Sequence, residues 1–215
     1  MTSVGRILQL PPIPEIPEPV RGKSFVVVQA IWLGEEAEGE RLLAPLRGLD
    51  PVMDTIATIP VQELSRLHMD PEQPTPGVGD GGMLSDVGDD LIDVFVERVV
   101  GTRILSAEIR HLGGAVSRRS SHHGAIDAWE APYITFALGL APTPELGAEV
   151  HEHVARLMEA LEPWEAEHNY MNFAESQRKP ATLFSSASYH RLRQIKAVVD
   201  PHDLIRSNHP VPPAS

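Results

Sequence analysis

The stretch "PYITFALGLAPTPELGAEVHEHVARLMEAL", Pro132–Leu161, sets a strand directly against a long helix. Its first part, Pro132–Leu140, is short and rich in aromatic and β-branched residues, which suits a pleated, half-buried surface. Thr143 then stands where an N-cap is needed, and Pro144 suits the first helical turn. Beyond it Leu146, Val150, Val154, Leu157 and Leu161 fall at helical spacing and make one apolar stripe. A helix with one stripe needs a layer to lie on, so this pair predicts a helix packed on a sheet.

Working outward, the same pairing recurs. Ser24–Leu33 reads as a buried strand, and "EAEGERLLAPLRGL" as a helix ending near Pro45 and Gly48. "PVMDTIATI" predicts a second strand, and "PVQELSRLH" a short helix opened by Pro60. "SDVGDDLIDVFVERVV" predicts a helix capped by Ser85 or Asp86, with Val87, Leu91, Val94, Phe95 and Val99 on one face. "RILSAEIRHLGGAV" reads as a strand running into a bend at Gly113–Gly114, "HNYMNFA" as a final strand, and "SYHRLRQIKAVV" as the last helix, stopped by Asp200–Pro201. Several strands are joined by loops too short for parallel crossovers. The expected fold is therefore α+β, an antiparallel or mixed sheet with helices packed mainly on one face. The chain divides into a proline-rich lead over residues 1–23, an α+β domain over 24–164, and a C-terminal segment over 165–215.

Composition narrows the function. The 215 residues carry a formal net charge of −12, which repels phosphate backbones and anionic lipids. "SRRSSHH" is too short a basic run to reverse this, so neither nucleic acid nor membrane is an expected partner. With no cysteine, thiolate catalysis, disulfides and cysteine-ligated metal are excluded. No signal peptide is read at the N-terminus, and the apolar run Phe25–Leu33 is too short to span a bilayer, so a cytoplasmic location is expected.

The ten histidines raise the question of metal. His151 and His153 diverge by about 200° around a helix, and His122–His123 has no partner triad, so no metal site is expected. "DPEQPTPGVGDGG" reads as a loop. It matches no dinucleotide or P-loop fingerprint and holds acids rather than lysine, so it is no phosphate cradle. The acidic runs "GEEAEGE" and "DVGDD" read as solvated faces. What remains is "YMNFAE", Tyr170–Glu175: on a strand, Tyr170 and Asn172 would share one face. A phenol beside a carboxamide can donate, accept or stack, and a phenol of lowered pKa can act as a base. The same pair on an ordinary strand would merely satisfy its neighbours. Arg110 and His111, by the glycine bend, either face a pocket or support the loop.

Here "Y-x-N-F" (Tyr170, Asn172, Phe173) is followed by a longer pattern of Arg191, Leu192, Ile195, Lys196, Asp200, Pro201, Leu204, Arg206 and Asn208. Together they resemble the C-terminal signature of the berberine-bridge-enzyme-like family of FAD-linked oxidoreductases. "IPEPVRGK", "LLAPLRGLDPVMDT", "LSRLHMDPEQP" and "IRHLGGAVSR" are similar to bacterial members in order and spacing. The resemblance implies a substrate domain followed by a segment that returns to a flavin domain, and nothing in these residues corresponds to that flavin domain. It implies FAD as cofactor, hydride transfer from a small organic substrate, and a FAD-binding domain in cis or in trans as partner. It also implies Tyr170 as catalytic residue, with Tyr170 and Asn172 near the flavin. Some members carry a carboxylate on the strand before the long helix, and "PYITFALGL" has none. A flavin-free binding module of the same descent, or a homo-oligomer burying the same surface, are the competing expectations.

Overall fold

The computed structural model describes residues 1–68 and 73–214. Five strands form one antiparallel sheet in the order β2-β1-β4-β5-β3. They are β1 (Thr2–Gln9), β2 (Ser24–Ile31), β3 (Gly77–Leu84), β4 (Ser106–His111) and β5 (Tyr133–Leu140). The helices are α1 (Glu36–Arg47), α2 (Asp89–Val99), α3 (Pro144–Leu161) and α4 (Ser186–Val199). The α+β expectation holds, with the sheet antiparallel throughout the described residues.

Register decides what each face carries, because cross-strand partners point the same way. The row Ile7–Ala107–Ala137 belongs to the buried core with Leu91, Phe95 and Val99 of α2 and Val150, Val154, Leu157 and Leu161 of α3. The neighbouring row runs Val27–Arg6–Glu108–Phe136–Gly81 and faces the other way. The first row holds α2 and α3; the second lies on the face turned away from those helices, the open face, on which Arg6 and Glu108 are nonetheless buried among their neighbours.

α3 follows its sequence pattern: the Thr143 hydroxyl accepts from the Leu146 amide at 3.3 Å, and four of the five stripe residues are buried. α1 keeps Pro45 inside its last turn and ends at Gly48. α2 starts later than expected, with Gly88 at its N-cap position. Ser85 instead donates to the Trp164 carbonyl, and Asp86 accepts from the Val87 amide.

Other expectations are corrected. Thr2–Gln9 is not lead but a strand between β2 and β4, with Val4, Arg6 and Ile7 buried on both of its faces. Burial on both faces erases the alternation that would have disclosed it. "PVMDTIATI" forms no strand and is largely exposed, and Val61–Arg66 makes a 3-10 turn with Pro60 at its N-cap position. The glycine-rich "loop" is β3 from Gly77 onward; its residues 70–72 lie outside the described set. "HNYMNFA" is not a strand: Met171–Phe173 forms a 3-10 turn.

Candidate active site

The glycines of β3 are explained by what crosses them. A Cβ on Gly79 would stand 2.7 Å from the Ala137 carbonyl oxygen and 2.9 Å from Phe136 Cζ. On Gly81 it would stand 2.4 Å from the Thr135 carbonyl oxygen. Phe136 thus lies across a strand that yields it room, and its ring meets Phe173 at 4.7 Å between centroids.

Phe173 arrives because the chain after α3 wraps the free edge of β3. The Ser85 amide donates to the Trp164 carbonyl at 2.8 Å, and the Ala166 amide to the Met83 carbonyl at 2.9 Å. Asp80 fixes the next contact. Its Oδ1 accepts from the Gly81 and Glu175 amides at 2.9 and 3.2 Å, and its Oδ2 from Ser176 Oγ and Arg178 Nη2, each at 2.9 Å. A carboxylate that satisfies an edge amide and binds the covering segment both blunts the edge and anchors what covers it. Sequence reading missed Asp80, which stood in a run of glycines.

Tyr170 and Asn172 are brought together, though by a turn and not by a strand: Asn172 Nδ2 donates to Tyr170 Oη at 3.3 Å. Tyr170 packs edge-on against Phe173 at 5.1 Å and against Trp129 at 5.2 Å. Four aromatic rings therefore line one end of the open face. Edge-to-face and offset ring pairs of this kind add about 0.5–1.5 kcal/mol each beyond burial.

Arg110 and His111 part company, as neighbours on a strand must. His111 meets Tyr133 at 5.4 Å on the helix side. Arg110 stands on the open face, its Cζ 5.0 Å from the Phe173 centroid. Glu108, two residues before it, is buried and accepts from Arg110 Nε at 2.6 Å and also from Arg110 Nη2. From the other side Arg6 Nη2 approaches Glu108 Oε2 at 3.3 Å. Arg6 also meets Gln29 Oε1 at 3.2 Å, the His68 carbonyl at 3.3 Å and the His68 ring. The Arg6–Glu108 pairing follows from register alone, and only the position of β1 reveals it.

The C-terminal segment is held by a second polar centre. Asp200 is 5% exposed and accepts from the Leu204 amide at 2.8 Å, the Ile205 amide at 3.0 Å and Lys196 Nζ. Lys196 also donates to the Ile205 carbonyl at 2.9 Å and pairs with Asp203 at 3.0 Å. The Lys196 ammonium, with the Ile205 and Leu204 amides, draws the Asp200 carboxyl down to about 2. Bonds to Asp200 and Asp203 push Lys196 upward in turn. The end of α4 and the turn after it hold apolar side chains outward: Val198, Val199, Leu204 and Ile205 are 81%, 69%, 76% and 69% exposed.

No group of His, Asp and Glu among the described residues could hold a metal ion. His153 accepts from the Arg103 amide at 3.2 Å, while His151 lines a cleft of about 730 Å³ between β3 and α3. Among the described residues no helix is long and apolar enough to cross a membrane.

Residues 169–212 match the family model described as berberine and berberine like. Over 136 residues, 60% of the chain, it is 26% identical to the FAD-linked oxidoreductase sorD of Penicillium rubens, of which it covers 29%. All of the chain superposes on 48% of BBE-like 1 from Physcomitrella patens, with a TM-score of 0.74 and 12% identity. The same holds for berberine bridge enzyme from Eschscholzia californica, at 49% of that chain, a TM-score of 0.74 and 12% identity. A chitooligosaccharide oxidase is matched over 48% of its length, with a TM-score of 0.71 and 15% identity. The chain thus spans about half the length of these solved relatives. The resemblance read in the sequence is shown: the C-terminal segment is berberine-like, and the fold along the whole chain is that of berberine-bridge-enzyme-like structures.

Proposed function

We propose that this chain forms the substrate-facing part of an FAD-linked oxidoreductase, in which a small organic substrate gives a hydride to flavin. One observation carries the reading: the Tyr170–Asn172 pair and the Phe173 ring stand together over the sheet face turned away from α2 and α3. A planar cofactor ring fits beside such a wall, so Tyr170, Asn172 and Phe173 are the residues that would meet the flavin. Flavin, when bound, supplies the hydride acceptor. Tyr170 would take a proton from the substrate or position it, with the Asn172 amide fixing the direction of the phenol oxygen. The glycine-rich run is built into β3 beneath Phe136, so the described residues offer no glycine-rich phosphate cradle there. The diphosphate and adenine therefore belong to a separate FAD-binding portion, in cis or in trans. The hydrogen-bonded turn that displays Leu204 and Ile205 is suited to dock on that portion.

The test is to mix the chain with FAD, alone and with a separately supplied flavin domain of a relative, and desalt. Flavin absorbance travelling with the chain is expected in the mixture that contains the flavin domain. Absence from both mixtures overturns the reading.

A second reading, a flavin-free binding module, draws on one observation. Glu108 is the sole carboxylate on the open face among the described strand residues, and two arginines already hold it. That reading expects a folded protein indifferent to FAD in either mixture.

A further inference from the structure

The open face is locally positive in a chain whose net charge is −12. Arg6 and Arg110 share one carboxylate, that of Glu108. The two cations differ in how far they are committed. Arg6 is 8% exposed and bound to Gln29, His68 and Glu108. Arg110 is half-buried; its Nε and Nη2 are on Glu108 Oε1, and its Nη1 has no partner among the described residues.

Arg6 reaches Glu108 across the β1–β4 pair. Arg110 and Glu108 both lie on β4, so their contact spans no strand boundary. Instead Glu108 holds the Arg110 fork against Phe173, beside Phe136 and Tyr170. A guanidinium fixed next to aromatic rings presents two complementary surfaces at once. Its free edge takes a planar oxyanion, and the rings take a flat apolar body.

We infer that the open face takes a carboxylate borne on a planar aromatic molecule, with Arg110 as anchor and Phe173 and Tyr170 as wall. This deepens the substrate-facing reading above and rests on it. All of the named groups lie within this chain, so binding does not wait on FAD.

The experiment is ligand-observed saturation-transfer NMR on the purified chain without FAD, using benzoate, benzamide and benzyl alcohol. Benzoate is expected to bind tightest and to weaken as salt is raised. Arg110→Gln is expected to weaken benzoate roughly tenfold while leaving benzyl alcohol unchanged, the loss of one charge-assisted contact. Arg110→Lys, which keeps charge without the fork, falls between them. Benzoate binding no tighter than benzamide, or unaffected by Arg110→Gln in a variant with native circular dichroism, overturns the inference. Should Arg110→Gln fail to fold, the benzoate-to-benzamide ratio on the unaltered chain decides, and a ratio near one overturns it. FAD uptake with no benzoate preference removes this inference alone. An Arg110-dependent benzoate site with FAD refused removes the flavin reading alone.

Discussion

α3 and α4 are both well-formed helices held in opposite ways. α3, 18 residues long, buries Val150, Val154, Leu157 and Leu161 against the sheet and α2. α4, 14 residues long, has no fully buried residue. Ser185 caps its start by accepting from the Ser188 amide at 3.2 Å, and Lys196 and Asp200 tie off its end. The tail returns to it through the Ala214 amide, which donates to the Arg193 carbonyl at 3.0 Å. The first helix is fixed by apolar area, which is non-directional and additive. The second is capped and tied to its own tail by a few directed bonds, with no buried face. That difference separates the part of the molecule that folds the domain from the part suited to meet something else.

The comparison breaks if the core of α3 proves dispensable. Leu157 is fully buried, so Leu157→Ala should cost about 2–5 kcal/mol. The measurement is the urea midpoint at unchanged slope. A shift within experimental scatter would mean that α3 is not what holds the sheet.

Next in size is Gly81→Ala, which probes the hinge between the two regions. Its Cβ would press on the Thr135 carbonyl oxygen at 2.4 Å and on Phe136 Cδ2 at 3.0 Å. Overpacking of this kind costs about 1–3 kcal/mol. Because Phe136 touches Phe173, and Phe173 and Trp129 both touch Tyr170, indole fluorescence should change as well. Destabilisation with an unchanged Trp129 signal would show that β3 and the aromatic wall are independent.

How much of this was legible in sequence follows the same division. α3 and β5 were readable because burial on one face leaves a period in the sequence. β1 was not, since Val4, Arg6 and Ile7 are all buried and leave no alternation. β3 was hidden for the opposite reason: Gly79 and Gly81 are required by the close approach of the β5 backbone and the Phe136 ring, more than fifty positions away, and glycine signals a loop to any local rule. Tyr170 and Asn172 were read as neighbours on a strand; they are neighbours, but across a 3-10 turn. Arg110 was singled out next to the glycine bend, while its partners Glu108 and Arg6 needed the register of two strand pairs. Pattern discloses what one segment does with its own residues. Long-range polar pairing requires the topology.

The smallest effect expected is also the sharpest test of α4's polar clamp. Asp200 titrates at about 2, drawn down by Lys196 and the Ile205 and Leu204 amides, against about 3.9 for an unperturbed aspartate. A group whose folded pKa is depressed stabilises above the unfolded value and loses that contribution as pH falls through the folded one. The clamp should therefore be intact above about pH 4 and released toward pH 2. Protection of the Leu204 and Ile205 amides, corrected for intrinsic exchange, should fall roughly tenfold across that window. The Val154 and Leu157 amides of α3 should keep theirs until global unfolding, because no titrating side chain holds them. Asp200→Asn should start with the lower protection and show no pH step. If Leu204, Ile205 and the α3 amides lose protection together in one transition, the turn is not an independent unit. Its outward apolar side chains would then be part of the domain's own cooperative fold and not a surface kept ready for another.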